Sequence, residues 1–142
     1  MVRSAPSSDV RKRILFVDDE PTILASFEKA LRRDGWRWEI VFVLGGQLAL
    51  DELHRGSFDA VVSDMRMPDI DGGTLFGLIQ RSSPSTRRIM LTGYAEDAAI
   101  AHVLPILHEL LHKPCTAAAV RGAIERHLEA RIDDAKGSND GG

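Results

Sequence analysis

Residues 13–21 read "RILFVDDEP": Ile14, Leu15, Phe16 and Val17 run without a break into Asp18, Asp19 and Glu20, and Pro21 follows. Branched and aromatic residues in so short a continuous run mark a strand covered on both faces, as in a parallel sheet. Proline is tolerated in the first turn of a helix, so the acids stand at a strand-to-helix junction. A buried strand that ends in three acids needs a reason, and "FDAVVSD" at 58–64 repeats the pattern by ending at Asp64.

Outward from this stretch, apolar runs of strand length alternate with segments of helical periodicity. The spacing of Ile23, Leu24, Phe27, Ala30 and Leu31 predicts a helix over 21–33, followed by a strand at 38–43 and a helix from 46 closed by Gly56. The third strand spans 58–64. "MRMPDIDGG" is a loop, and a helix follows from about Gly73 to Arg81. A fourth strand is expected at 86–93, a helix at 95–104 that Pro105 ends, a short fifth strand within 108–114, and a last helix over 116–132. Residues 1–10 read as a flexible N-terminal segment, 11–131 as the folded domain, and 132–142 as a disordered tail or linker. Five strands alternating with five helices predict an α/β fold, a doubly wound parallel sheet with helices on both faces.

Sheets of this kind bind ligands beyond the carboxyl ends of their strands. Asp18 and Asp19 follow the first strand, Asp64 the third, Thr92 the fourth and Lys113 the fifth, so all five are expected at one rim. Three crowded carboxylates repel unless a cation lies among them, and hard oxygen ligands with room for water suit Mg2+. With that charge neutralised, a carboxylate can attack phosphorus. A lysine ammonium and a threonine hydroxyl can then hold the phosphoryl oxygens, and phosphoryl transfer depends mainly on positioning and electrostatics.

"FVDDEP", "SDMRMPDIDGG", "MLTG" and "HKP", in that order and at compatible separations, resemble the signature blocks of the response-regulator receiver domain of bacterial two-component systems. The resemblance covers roughly residues 12–130. It implies the flavodoxin-like receiver fold with strand order 2-1-3-4-5, and Asp64 as phosphoacceptor. It also implies a Mg2+ site made by Asp18, Asp19, Asp64 and the backbone carbonyl of Arg66, Asp18 acting partly through water. Thr92 is then the switch hydroxyl, and Lys113 the phosphoryl contact, followed by a cis bond to Pro114. The implied partner is a sensor histidine kinase or phosphotransfer protein, with a possible homodimer through the helix 4, strand 5, helix 5 face. Such a domain promotes only its own phosphorylation and dephosphorylation. The stretch 90–115 is further similar to receivers that precede an HDOD output domain. The 142 residues hold no such domain, so a stand-alone receiver and a piece of a longer regulator both remain, the second preferred. Where this family commonly carries an aromatic residue, three before the lysine, this chain has Leu110.

Other function classes fit less well. A formal net charge of −3 lacks the basic face of a nucleic-acid binder, and the Arg11–Arg13 and Arg87–Arg88 clusters read as solvated strand starts. Trp36 and Trp38 read as packing around the second strand. No apolar run is long enough for a membrane span, residues 1–10 lack a signal sequence, and Cys115 is the only cysteine, which together predict a cytoplasmic protein. A phosphohydrolase of the haloacid dehalogenase type requires an acid two residues after its nucleophile, and Arg66 stands there. A pseudo-receiver that only docks would have lost an acid or the lysine. "PDIDGG" lacks the closing Glu of a calcium loop, Leu78 taking that position, and Gly45-Gly46 lacks the third glycine of a dinucleotide loop. His108 and His112 flank the fifth strand without further ligands and read as packing or surface residues.

Overall fold

A computed structural model of the chain describes residues 11–93 and 98–141, with side chains described except at 99 and from 130 onward. The expected flexible segment 1–10 and the start of the fourth helix, 94–97, lie outside the described residues. Along the chain follow β1 (Lys12–Asp18), α1 (Pro21–Leu31), β2 (Trp38–Leu44), α2 (Gly46–Arg55), β3 (Ala60–Asp64), α3 (Gly72–Ser82), β4 (Arg87–Thr92), α4 (Ala98–Val103), β5 (Glu109–His112) and α5 (Ala117–Gly141). The strands form one sheet in the order β2-β1-β3-β4-β5, and every neighbouring pair is parallel.

Successive side chains of a strand point to opposite faces, so an unbroken apolar run feeds two cores. Ile14 and Phe16 pack with Leu24, Phe27 and Leu31 of α1 and with Val120, Ala123 and Ile124 of α5. Leu15 and Val17 pack on the other side with Ala49 of α2, Leu75, Phe76 and Ile79 of α3, and Ile100 and Val103 of α4. All four residues of the run are fully buried. A polar residue at any of them would lose its water without gaining a partner, which is why the alternation typical of one-sided sheets is missing here.

The ends of the elements differ from the sequence expectations for local reasons. α1 stops at Leu31 and tightens into a 3-10 turn over Arg32–Asp34, because Asp34 turns inward to Arg37 and Arg121. β3 begins at Ala60. The two residues before it serve other ends: Phe58 packs into the second core, and the Asp59 carboxylate accepts the backbone N–H of Arg13 at 2.8 Å. Gly56 does close α2, but in extended rather than left-handed conformation, φ −175°. α4 ends at Val103, and Pro105 lies in a second 3-10 turn, Leu104–Ile106, before β5. α5 continues to Gly141, through the segment read as a disordered tail or linker.

Two surface expectations need correction. Arg88 is not a solvated strand start: it is 6% exposed, and its guanidinium donates to the carbonyls of Ile106, Pro84 and Thr86 at 2.7, 3.1 and 2.9 Å. Those carbonyls cap the turns on either side of β4, and burial followed by the nearby Arg87 charge lowers its pKa. Trp38 is buried as expected, with the Arg37 guanidinium 4.0 Å from its ring centre, but Trp36 is 77% exposed and packs no core. The turn at Asp34–Gly35 points it outward while its neighbour two residues on enters β2.

Candidate functional site

Parallel strands end at the same side of the sheet, so Asp18, Asp64 and Thr92, the last residues of β1, β3 and β4, share a rim with Lys113 just after β5. Asp18 is fully buried. Its Oδ1 accepts the backbone N–H of Glu20 at 3.0 Å, whereas its Oδ2 is buried without a hydrogen-bond partner and lies 3.6 Å from Lys113 Nζ. Asp64 is 8% exposed, and its Oδ2 lies 3.2 Å from the same ammonium. Asp19 is half-buried, and one carboxylate oxygen from each of Asp18, Asp19 and Asp64 lies within 4.8 Å of the others, the one such acidic group among the described residues.

Burial pushes the Asp64 carboxyl above its ordinary range; Lys113 opposes this and the Asp18 charge adds to it. Burial also works against the Lys113 charge, but Asp64 and Asp18 outweigh it and hold the ammonium above the usual lysine value. One ammonium thus contacts two carboxylates of a cluster of three. The uncompensated charge and the orphaned Asp18 Oδ2 suit a hard divalent cation, which takes carboxylate, carbonyl and water oxygens.

Backbone hydrogen bonds lock the rim together. Met65 N–H donates to Leu91 O at 3.0 Å, and Lys113 N–H donates to Thr92 O at 2.8 Å. Thr92 is 1% exposed, and Asp19, Asp64, Arg66, Thr92 and Lys113 line one open cleft. All sequence-predicted site residues therefore meet. The Lys113–Pro114 peptide is cis. His108 and His112 form no metal site with these acids: His108 Nδ1 accepts the backbone N–H of Arg88, and His112 is exposed. Sequence reasoning gave no role to Gly45, Gly46 or Asp69. Asp69 accepts the backbone N–H groups of Gly46 and Gln47, and the signal for it was a pair of glycines before a helix that lacks a capping side chain of its own.

A doubly wound sheet with this acidic rim, a buried threonine and a lysine before a cis proline defines the receiver class. The chain belongs to the response regulator receiver domain family, which it matches over residues 14–125, and is a phosphoacceptor module of two-component signalling. Among curated relatives, it is 33% identical over 117 residues to the transcriptional regulatory protein GlrR of Escherichia coli K12, covering 82% of this chain and 26% of that protein. It is 31% identical over 121 residues to the response regulator protein FleR of Pseudomonas aeruginosa, covering 84% of this chain and 25% of that one. The chain thus spans about a quarter of the length of these relatives. Among solved structures, it is similar to the receiver domain of an HD domain-containing protein from Pseudomonas fluorescens Pf-5, with 30% identity, a TM-score of 0.78, and coverage of 87% and 98% of the two chains. The receiver domain of a sensor histidine kinase from Pseudomonas aeruginosa PAO1, solved with magnesium coordinated in its active-site cleft, is 25% identical with a TM-score of 0.73, over 84% and 99% of the chains.

Proposed function

We propose that Asp64 accepts a phosphoryl group from a sensor histidine kinase or phosphotransfer protein. The observation that carries this is the clustering of the Asp18, Asp19 and Asp64 carboxylates, two of them against the Lys113 ammonium, with a buried carboxylate oxygen left unpartnered. A carboxylate oxygen of Asp64 forms the new bond to phosphorus as the donor's P–N bond breaks and the imidazole leaves. Asp18, Asp19, Asp64 and the Arg66 carbonyl would hold Mg2+, which would neutralise the carboxylates and the phosphoryl oxygens. Lys113 stays protonated and pairs with the incoming charge. Thr92 donates its hydroxyl to the phosphoryl group, drawing the end of β4 toward the rim. The domain turns over no external substrate, acts in the cytoplasm, and passes its state to an HDOD output domain or to a partner across the α4, β5, α5 face, including a second copy. An apolar cavity beside Lys113, walled by Ile23, Phe27, Pro114 and Cys115, supports donor docking next to the site.

The test is incubation with acetyl phosphate and Mg2+ followed by intact-mass measurement. The expected result is one phosphoryl group on the wild type, none on Asp64→Asn, and none on the wild type in excess chelator. Full labelling of Asp64→Asn, undiminished labelling in chelator, or catalytic release of phosphate from unrelated esters would overturn the assignment.

A further inference from the structure

Phosphoryl chemistry makes no use of Asp69 or of the two glycines that face it. The Asp69 carboxylate accepts the N–H of Gly46 at 3.2 Å and that of Gln47 at 3.0 Å. These are free donors of the first turn of α2, a helix whose preceding residue, Gly45, has no side chain to cap it. α2 is therefore capped from another element, the β3–α3 loop. The same carboxylate accepts the Ile70 N–H at 2.7 Å. The hydrogen bonds from Gln47 and then Ile70 hold the carboxyl below its ordinary range.

The glycines make this approach possible. A Cβ at Gly46 would lie 2.8 Å from both Cβ and O of Ile70; at Gly45, where φ is +89°, it would lie 3.0 Å from Asp69 Oδ2. Gly45 also donates its N–H to the carbonyl oxygen of Asp18 at 2.9 Å. One short segment, 45–47, thus grips the end of β1 with one amide and the β3–α3 loop with the next two. The far end of that loop is tied by Gly72 N–H to Met65 O at 2.8 Å.

We propose that Asp69 is a positioning residue for the metal site: by capping α2 it clamps the loop of Arg66 to the strand end of Asp18, and so fixes the Arg66 carbonyl relative to the carboxylates. The inference rests on the reading of the site given above. Groups that orient a metal's ligands through one intervening contact typically change affinity by tenfold or more when removed. Asp69 acts on a backbone ligand in this way without touching the ion.

The test compares the wild type with Asp69→Ala, Asp69→Asn, Gly46→Ala and, as a control, Asp71→Ala, which removes the cap of α3 on the same loop without touching α2. Two readouts are taken: amide hydrogen exchange of the metal-free protein, and Mg2+ titration followed by NMR. Asp69→Ala is expected to speed exchange at Gly46, Gln47 and residues 65–70, and to weaken Mg2+ about tenfold, with acetyl phosphate labelling restored at saturating Mg2+. Asp69→Asn, which keeps one acceptor oxygen, should recover part of the affinity. Gly46→Ala should reproduce the loss by pushing Ile70 away, and Asp71→Ala should leave Mg2+ affinity within about twofold of wild type. Unchanged exchange at 65–70 in Asp69→Ala, unchanged Mg2+ affinity despite faster exchange, or an equal loss in Asp71→Ala would each overturn the proposal. A wild type that takes up neither Mg2+ nor a phosphoryl group would instead overturn the site itself, so the two failures are distinct.

Discussion

At Gly72 a methyl group would sit 2.4 Å from the carbonyl oxygen of Asp64 and 3.0 Å from the Cα of Met65, both backbone atoms of the segment that carries the proposed phosphoacceptor. Neither can yield without moving the end of β3. Gly72→Ala is therefore expected to destabilise the protein by about 2–3 kcal/mol, read by urea unfolding, and to slow labelling by acetyl phosphate. At Gly93, by contrast, a Cβ meets nothing within 4 Å. Gly93→Ala should leave stability within about 0.5 kcal/mol of wild type in the same experiment. The sequence reading recognised Gly72 as a turn residue but not as a packing constraint, because the atoms it must avoid come from β3 and become visible only when the loop closes. The residues with chemistry were easier to read. Asp18 and Thr92 follow an apolar run directly, Asp64 and Lys113 one residue later, and a parallel sheet leaves such positions one place to go.

Among elements, the contact of α1 with α5 depends on a buried carboxylate. Asp34 is 3% exposed; Arg121 Nε and Arg37 Nη2 each lie 2.9 Å from one of its oxygens, and Arg37 continues to Glu125 on α5 at 2.7 Å. Burial alone would raise its pKa, but the bonds from Arg121 and Arg37 prevail and hold it below the ordinary value. Lowered in the folded state, the group adds stability that is complete above the unfolded carboxylate value of about 3.9, and that stability is lost as pH falls through the lower folded value. Thermal unfolding of Asp34→Ala should show a loss of about 3 kcal/mol near neutral pH, and the gap to wild type should narrow as pH falls below about 4. Equal gaps at pH 7 and pH 3 would contradict this. Glu109 at the start of β5, bonded by Arg126 and His127 of α5, is shifted in the same direction. Helix and strand existence was legible from periodicity. Asp34 was not, since its inward turn ends α1 early and depends on arginines 3 and 87 positions away along the chain.

For the whole molecule, the expected consequence of phosphorylation is a shift between two arrangements of one surface. Leu110 packs half-buried against the core shared with α3 and α4, so a change in its rotamer stays largely inside. The movement of Thr92 is thus expected to pass mainly through Gly93 and α4, which ends early at Val103 and is followed by the turn at Pro105. Hydrogen exchange with and without acetyl phosphate should change most between Gly93 and Pro105. Leu110→Ala should remain fully labelled and alter that pattern only modestly; loss of the whole response would make Leu110 the principal relay. The alternation of elements, and with it the layered fold, could be read from the residues, whereas the strand order came from family resemblance. Local patterns say that strands are buried but not which neighbour each one takes, because parallel pairing joins segments far apart in the chain. That order has a further consequence for synthesis. Of the five strands β1 is made first and lies inside the sheet between β2 and β3, and β5, which brings Lys113, comes last. A chain emerging from its N-terminus can thus gather its three carboxylates before their ammonium arrives. Until β5 docks, the nascent rim is an acid trio without the Lys113 ammonium, so dissolved divalent cation should stabilise a nascent chain ending before Glu109 more, relative to its own stability, than the finished domain.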